Sequence, residues 1–370
     1  MQRIDHVLPW STPGTERRLT VLRYGSGERK AYIQASLHAD ELPGMRVAVE
    51  LRRRLRELEE QGRLLGVIEL VPVANPIGLE QMVQGQHQGR FELSSGKNFN
   101  RDFADLAELI GPALQGHVGS DEAANTALIR SSMRAVLDAL EPAASALEGM
   151  QRLLLRHACD ADVMLDLHCD FEAAVHLYGI PQQWPALRSL AARLEAGTVL
   201  LAEDSGGSSF DEACSAPWLR LAQRFPDAAI TPACLSTTVE LGGMDNTDAH
   251  KAREYAEAIL AFLAEQGLIS GEWPQAPQAC CDAVPFSGTE LLFPPHCGVV
   301  SFFHKAGEYV EAGTPIFEVL DPLDDNGTIV CAGTSGVLFA IERMRFAQPG
   351  RWLAKVAGHQ SIRQGRLLND

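Results

Sequence analysis

The strongest constraint on the fold is an alternation. Through about residue 270, short apolar runs trade places with amphipathic stretches at helical spacing. RLTVLRYG, KAYIQASL, LLGVIELVPVANP, ADVMLDLHCD, AAVHLYGI and STTVELGG have the length and apolar content of strands. Between them, LPGMRVAVELRRRLRELEEQG reads as a helix with its arginines on the wet face, and PALRSLAARLEAG as another. Residues 120–158 read as a helical pair broken near Glu141 and Pro142, and DAHKAREYAEAILAFLAEQG as a strong helix ending at Gly267. Several strands are almost wholly apolar, which burial on both faces demands. The expectation is an α/β domain, a mostly parallel mixed sheet with helices on both faces.

At about residue 272 the pattern changes. GEWPQAPQACC is proline-rich and breaks every periodicity, so it reads as a linker. Short β-rich runs punctuated by glycine follow, with no helical stretch. We therefore expect two domains, residues 1–272 and a small all-β, barrel-like domain over 280–370. KAGEYVEAGTPIFEV and RMRFAQPGRWLAKV share a phrase, a residue pair before a turn glycine and then an apolar strand. This repeat resembles the biotinyl/lipoyl-type barrel, which carries its prosthetic group on a lysine at a hairpin tip. Here the tip is DPLDDNG, without a lysine, so the barrel reads as structural.

Charge narrows the partners. With 48 Asp and Glu against 32 Lys and Arg, the formal charge is −16. Nucleic-acid backbones and anionic membranes both need a positive surface, so neither is expected. An anionic substrate would have to be held by local arginines against the overall field. No apolar run reaches the length of a membrane span, and MQRIDHVLPWSTPGTERR lacks the apolar core of a signal peptide. Eight cysteines without a CxxC pair, Cys280 and Cys281 being adjacent, read as reduced thiols of a cytoplasmic protein. Oligomeric state is left open, a homo-oligomer included.

In open parallel sheets, sites gather at the carboxyl ends of strands. Three such ends carry polar residues here. His38 and Glu41 follow AYIQASL, His168 ends VMLDL, and Glu240 lies in TTVELGG. Glu41 also suits the first turn of a helix, where the dipole favours a carboxylate, so His-x-x-Glu alone leaves both readings open. Two histidines and a carboxylate are a ligand set for catalytic zinc, with a total ligand charge of about −1. A further glutamate then suits a general base on an acidified water. Asp166, two residues before His168, shares its strand face and suits a partner to its ring.

These strand ends together resemble the zinc carboxypeptidase fold and, within it, the succinylglutamate desuccinylase/aspartoacylase family. The likeness extends to NFNRDF, where the family shows an Asn-Arg pair, and it covers most of residues 20–265. It implies one zinc ion per chain on His38, Glu41 and His168, with Glu240 as general base toward a zinc-bound water. It implies that Asn100 and Arg101 hold a substrate carboxylate, a task suited to a planar guanidinium. Arg90 is the nearest candidate for a family arginine that polarises the scissile carbonyl, ahead of Lys97, although the segment between Arg90 and Asn100 is long. Asn98 stands where the family often has aspartate, and DLHCD where DLHTG is common. The implied activity is zinc-dependent hydrolysis of the amide of a small, anionic N-acyl amino acid. Alternatives are a zinc carboxypeptidase acting on peptides and a silent binding protein of the same fold.

Other residues carry less. His6, His87, His117, His157, His250, His296, His304 and His359 have no ligand-like spacing, while His176 lies in a strand near the site. EDSGGSSFDEA lacks the Gly-Lys-Ser/Thr end of a P-loop and reads as an active-site loop. Ser208 and Ser209 have no G-x-S-x-G elbow around them, so neither reads as a nucleophile. Arg52, Arg53, Arg54 and Arg56 form a solvated helix face.

Overall fold

The computed structural model describes residues 1–279, 281–324 and 326–368. Its centre is a nine-stranded sheet. The strand order is Gln2–Val7, Arg18–Tyr24, Val67–Val71, Lys30–Ala35, Val163–Asp170, Leu235–Gly243, His176–Gly179, Thr198–Leu201 and Ala283–Pro285. The inner strands Val67–Val71, Lys30–Ala35, Val163–Asp170 and Leu235–Gly243 run parallel. The sheet is mixed, because the first two strands enter antiparallel and His176–Gly179 runs against Leu235–Gly243. Thr198–Leu201 and Ala283–Pro285 then continue parallel to His176–Gly179.

Side-chain alternation along each strand divides the core in two. Ala31, Ile33, Ala35, Val163, Leu165, Leu167, Val239 and Leu241 face the helices Leu42–Glu60, Trp184–Arg193 and Ala249–Glu265. Tyr32 and Met164 face the opposite way, toward Leu106–Leu114, Glu122–Ala139, Ala146–Ala158 and Phe210–Arg224. Gln34, Asp166, His168, Thr238 and Glu240 share this second parity, and the first three are almost fully buried. One face of the sheet is therefore apolar throughout, while the other turns polar toward its strand ends.

Residues beyond 283 divide between the central sheet and two smaller sheets. Ala283–Pro285 is the ninth strand of the large sheet, and Thr289–Leu292 begins the first of the small ones. Gly298–Phe302, Pro315–Leu320, Gly327–Cys331 and Phe346–Ala347 form one antiparallel sheet. Thr289–Leu292, Ala354–Gly358, Gly336–Ile341 and Tyr309–Val310 form the other. The repeated phrase has a structural meaning here. In each copy a two-residue strand, Tyr309–Val310 or Phe346–Ala347, lies in one sheet, and the longer strand after it lies in the other. Asp170-adjacent backbone is drawn in as well, since Glu172–Ala173 pairs with Ala340 and Ile341. The hairpin tip Asp321–Gly327 includes Asp325, and the Cys pair includes Cys280; both of these residues lie outside the described ones.

Candidate metal centre

After Ala35 the chain leaves its strand through Ser36, which adopts φ of 66° and is buried. A non-glycine residue in the left-handed region marks a backbone held by its surroundings. The turn brings His38 to the strand end, and Leu42–Glu60 starts with Pro43 in its first turn. Gly44 lets this helix dock closely, since a Cβ there would stand 2.7 Å from the Leu167 carbonyl oxygen. Glu41 is thereby pressed toward the neighbouring strand, where its Oε2 accepts from the Cys169 N–H at 3.1 Å.

His38 Nδ1 lies 2.8 Å from Glu41 Oε1, and His168 Nδ1 lies 2.7 Å from Glu41 Oε2. The two rings stand 5.0 Å apart between centroids. All three side chains are buried, and their ligand atoms lie within 4.8 Å of one another. The far side of each ring faces an oxygen. Asn98 Oδ1 accepts the Asn100 backbone N–H at 2.9 Å and so must be the amide oxygen; the same atom lies 2.8 Å from His38 Nε2. His168 Nε2 lies 3.0 Å from Asp166 Oδ2. The Asn98 oxygen puts a proton on His38 Nε2, and both Nδ1 atoms face Glu41. Two imidazole nitrogens and a carboxylate converging on one buried point call for a cation among them, whether a metal ion or the proton that His168 holds. The donor set fits a divalent metal.

Burial pushes the His38 pKa down to about 4, with the Arg90 charge adding to it. Burial opposes the charge on Glu41, but His38 and His168 outweigh it and hold the carboxyl well below the usual range. Burial also opposes charge on His168, yet Asp166 and Glu41 overcome it and lift that pKa well above the ordinary value.

Glu240 reaches the site from the next strand. In register it stands beside His168 on one side and His176 on the other. Burial, reinforced by the Glu41 charge, pushes its carboxyl up to about 8, and its Oε2 has no hydrogen-bond partner among the described residues. A carboxyl with these surroundings suits proton transfer.

Arg90 arrives on a loop. Ala39 N–H donates to the Gly89 carbonyl at 3.0 Å, and a Cβ at Gly89 would stand 2.1 Å from the Asp40 nitrogen. That contact sets Arg90 Nη1 at 3.2 Å from His38 Nδ1 and 3.4 Å from Glu41 Oε1. The long segment that follows is a hairpin-like excursion closed by the Phe91–Asn98 bridge, with exposed Lys97 beyond the site. Asn100 and Arg101 are buried beside it. Asn100 Oδ1 accepts the Phe210 N–H at 2.8 Å, and Arg101 Nη1 donates to the Asn100 carbonyl at 2.7 Å.

All of His38, Arg90, Asn100, Arg101, His168 and Glu240 border one cavity of about 560 Å³. Glu41 lies just behind them. The loop over 203–213 contributes Ser205, Ser209, Asp211 and Glu212 to the same wall. His176 instead packs between Tyr178 and Phe339, its Nδ1 donating to the Ala174 carbonyl at 2.9 Å. Sequence reasoning missed the wall beyond residue 285, which includes Phe286, Arg351, Trp352, Lys355 and Arg363. No periodicity or motif marks these residues, because long-range strand pairing brings them there.

The succinylglutamate desuccinylase/aspartoacylase catalytic domain matches residues 28–138, a span holding His38, Glu41, Arg90, Asn100 and Arg101. No curated protein matches the chain. A family protein from Shewanella amazonensis SB2B superposes with a TM-score of 0.82 at 26% identity, over 96% of this chain and 98% of its own. Another, from Shewanella frigidimarina NCIMB 400, shares the fold with a TM-score of 0.84 at 24% identity, over 96% and 97%. The ectoine utilization protein EutE (DoeB) from Ruegeria pomeroyi, in its product-bound structure, shares the fold with a TM-score of 0.66 at 15% identity, over 96% and 94%. The domain match spans the His-x-x-Glu turn and the Asn-Arg pair, and along nearly its whole length the chain is similar to a succinylglutamate desuccinylase/aspartoacylase family protein.

Proposed function

We propose that this protein is a zinc-dependent amidohydrolase that cleaves the amide bond of a small, anionic N-acyl amino acid. His38 Nδ1, His168 Nδ1 and Glu41 hold one zinc ion per chain. The bound ion supplies Lewis acidity toward a carbonyl oxygen and lowers the pKa of a water to near neutral. Glu240 takes a proton from the water that adds to the acyl carbon. It returns a proton to the leaving nitrogen as the C–N bond breaks, so a carboxylic acid and an amine result. Arg90 faces the acyl oxygen as negative charge develops there. Arg101, with Asn100 beside it, binds the carboxylate of the amino acid.

The observation that carries this reading is the convergence of both Nδ1 atoms and Glu41 on one buried point. Asn98 Oδ1 accepts from His38 Nε2, and Asp166 stands 3.0 Å from His168 Nε2. We assign residues 1–272 as the catalytic domain and 280–370 as a β-rich domain without a carrier role. We place the protein in the cytoplasm. Cys159, Cys169, Cys214, Cys234, Cys297 and Cys331 are free thiols, which suits a reducing compartment, and no described helix is long and apolar enough to cross a membrane.

The test is amine release by the zinc-loaded protein from N-acetyl, N-formyl and N-succinyl amino acids and short peptides, with Glu240→Gln as the blank. Release from an acyl-amino-acid class, absent in the blank, is expected. Release from peptides alone makes the protein a carboxypeptidase, and silence with zinc bound overturns the hydrolase reading.

A further inference from the structure

Five basic side chains border the cavity, namely Arg90, Arg101, Arg351, Lys355 and Arg363. Three of them have visible counter-charges. Arg90 lies 3.4 Å from Glu41, Arg351 lies 3.3 Å from Glu342, and Lys355 lies 2.6 Å from Asp170. Arg101 belongs to the Asn-Arg pair discussed above. Arg363 differs. Among the described residues no carboxylate stands within ion-pair distance of its guanidinium, and the Tyr178 phenol is the one titratable group that bears on it. A half-buried cation without an anion pays for desolvation and receives nothing in return.

Its position is nevertheless built. The Ile362 and Arg363 N–H groups both donate to the Ser287 carbonyl at 2.9 Å. Arg363 Nη2 donates to the Leu367 carbonyl at 2.6 Å. The Leu367 and Leu368 N–H groups donate to the Ser205 carbonyl at 2.8 and 3.2 Å. The segment thus bridges the Phe286–Gly288 turn and the loop over 203–209, both of which border the cavity. It lies flat on that loop, since a Cβ at Gly206 would stand 3.0 Å from Arg366 Cα. Tyr178 links Arg363 to the chemistry. Its register partner Thr238 lies two residues before Glu240 on the same sheet face, and Glu240 is the charge that acts on it most strongly.

We propose that Arg363 is a specificity-determining residue that binds an anionic group of the substrate, a carboxylate separate from the one assigned to Asn100 and Arg101. The assignment rests on the proposed reading for the identity of the site. It explains why this arginine is held by the Leu367 carbonyl and, among the described residues, has no carboxylate partner. That carbonyl takes one Nη2 proton and leaves the other N–H groups for a planar, bidentate partner. Phe286, Leu367 and Leu368 border the same wall, and an apolar surround strengthens such a pair.

The experiment is calorimetric binding of N-succinylglycine and of N-butyrylglycine, which lacks the second carboxylate, to the zinc-loaded full chain carrying Glu240→Gln, alone and with Arg363→Gln or Arg363→Lys. With Arg363 present, N-succinylglycine is expected to bind more tightly. Arg363→Gln should weaken it about 10- to 100-fold while leaving N-butyrylglycine unchanged, and Arg363→Lys should recover part of the loss. Equal binding of the two ligands with Arg363 present, equal losses for both on Arg363→Gln, or no N-succinylglycine binding at all overturns the proposal. Because binding is read without turnover, the selective loss supports Arg363 even where no acyl amino acid is hydrolysed, and that result would sink the hydrolase reading alone.

Discussion

In the proposed site, the residues behind the ligands decide the chemistry. His38, Glu41, His168 and Glu240 were readable as candidates because each lies at or just past the end of an apolar strand, and strand ends collect sites. Asp166 was legible from parity, two residues before His168. Asn98 was visible only as a departure from a family pattern, and its role emerged from geometry. Its amide oxygen is fixed by the Asn100 N–H and so decides which nitrogen of His38 is free. Removing either support should loosen the metal. Asn98→Ala and Asp166→Asn should each weaken zinc binding about 10- to 100-fold, measured by competition with a chelator. Unchanged affinity in both would remove Asn98 and Asp166 from the support of the metal site.

At the scale of elements, glycine contacts place the functional loops. Gly89 has no side chain because the Asp40 nitrogen occupies that space, and this contact is what delivers Arg90 to His38. Gly89→Ala should therefore cost about 1–3 kcal/mol in denaturant unfolding and lower turnover together. Gly119→Ala, with nothing within 4 Å of the added Cβ, should be nearly neutral and serves as the control. A neutral Gly89→Ala would mean that the loop has room to shift. The long helices were readable from their apolar spacing, but Phe210–Arg224 was not. A Gly- and Ser-rich run precedes it and Pro217 lies inside it, two features that ordinarily signal loop. Burial of Phe210, Ala213, Cys214, Trp218 and Leu221 against the sheet outweighs the hydrogen bond that Pro217 cannot make.

For the whole molecule, the alternation of strands and helices was enough to give the mixed sheet, whereas the cavity's second wall was not. Local pattern reports which face of an element is apolar, but not which distant strand will pair with it. Glu172–Ala173 joining Gly336–Ile341 is such a long-range pairing, and it stitches the β-rich end of the chain beside the metal centre. A second buried network lies away from the site. Glu69 is almost fully buried against His157, Lys30 and Arg23, at 2.9, 3.1 and 3.2 Å. Burial raises its pKa, but the His157 hydrogen bond and the Lys30 charge outweigh this and bring it from 4.5 to about 2. A carboxyl depressed on folding stabilises the protein fully above its unfolded pKa, and that stability is lost as pH falls through the folded value. Acid unfolding curves should therefore steepen between about pH 4.5 and 2, and Glu69→Gln should flatten that interval by roughly 3 kcal/mol. Identical acid branches in the two proteins would remove Glu69 from the account.

The central claim is that His38, Glu41 and His168 form one metal site, and zinc titration of the metal-free protein tests it most directly. Wild type should bind one zinc ion per chain tightly, with protons released as His168 gives up its charge. Glu41→Gln and His168→Ala should each lose that binding while keeping the fold, followed by circular dichroism. Tight stoichiometric zinc binding that survives both substitutions in folded protein would place the metal elsewhere and contradict the account.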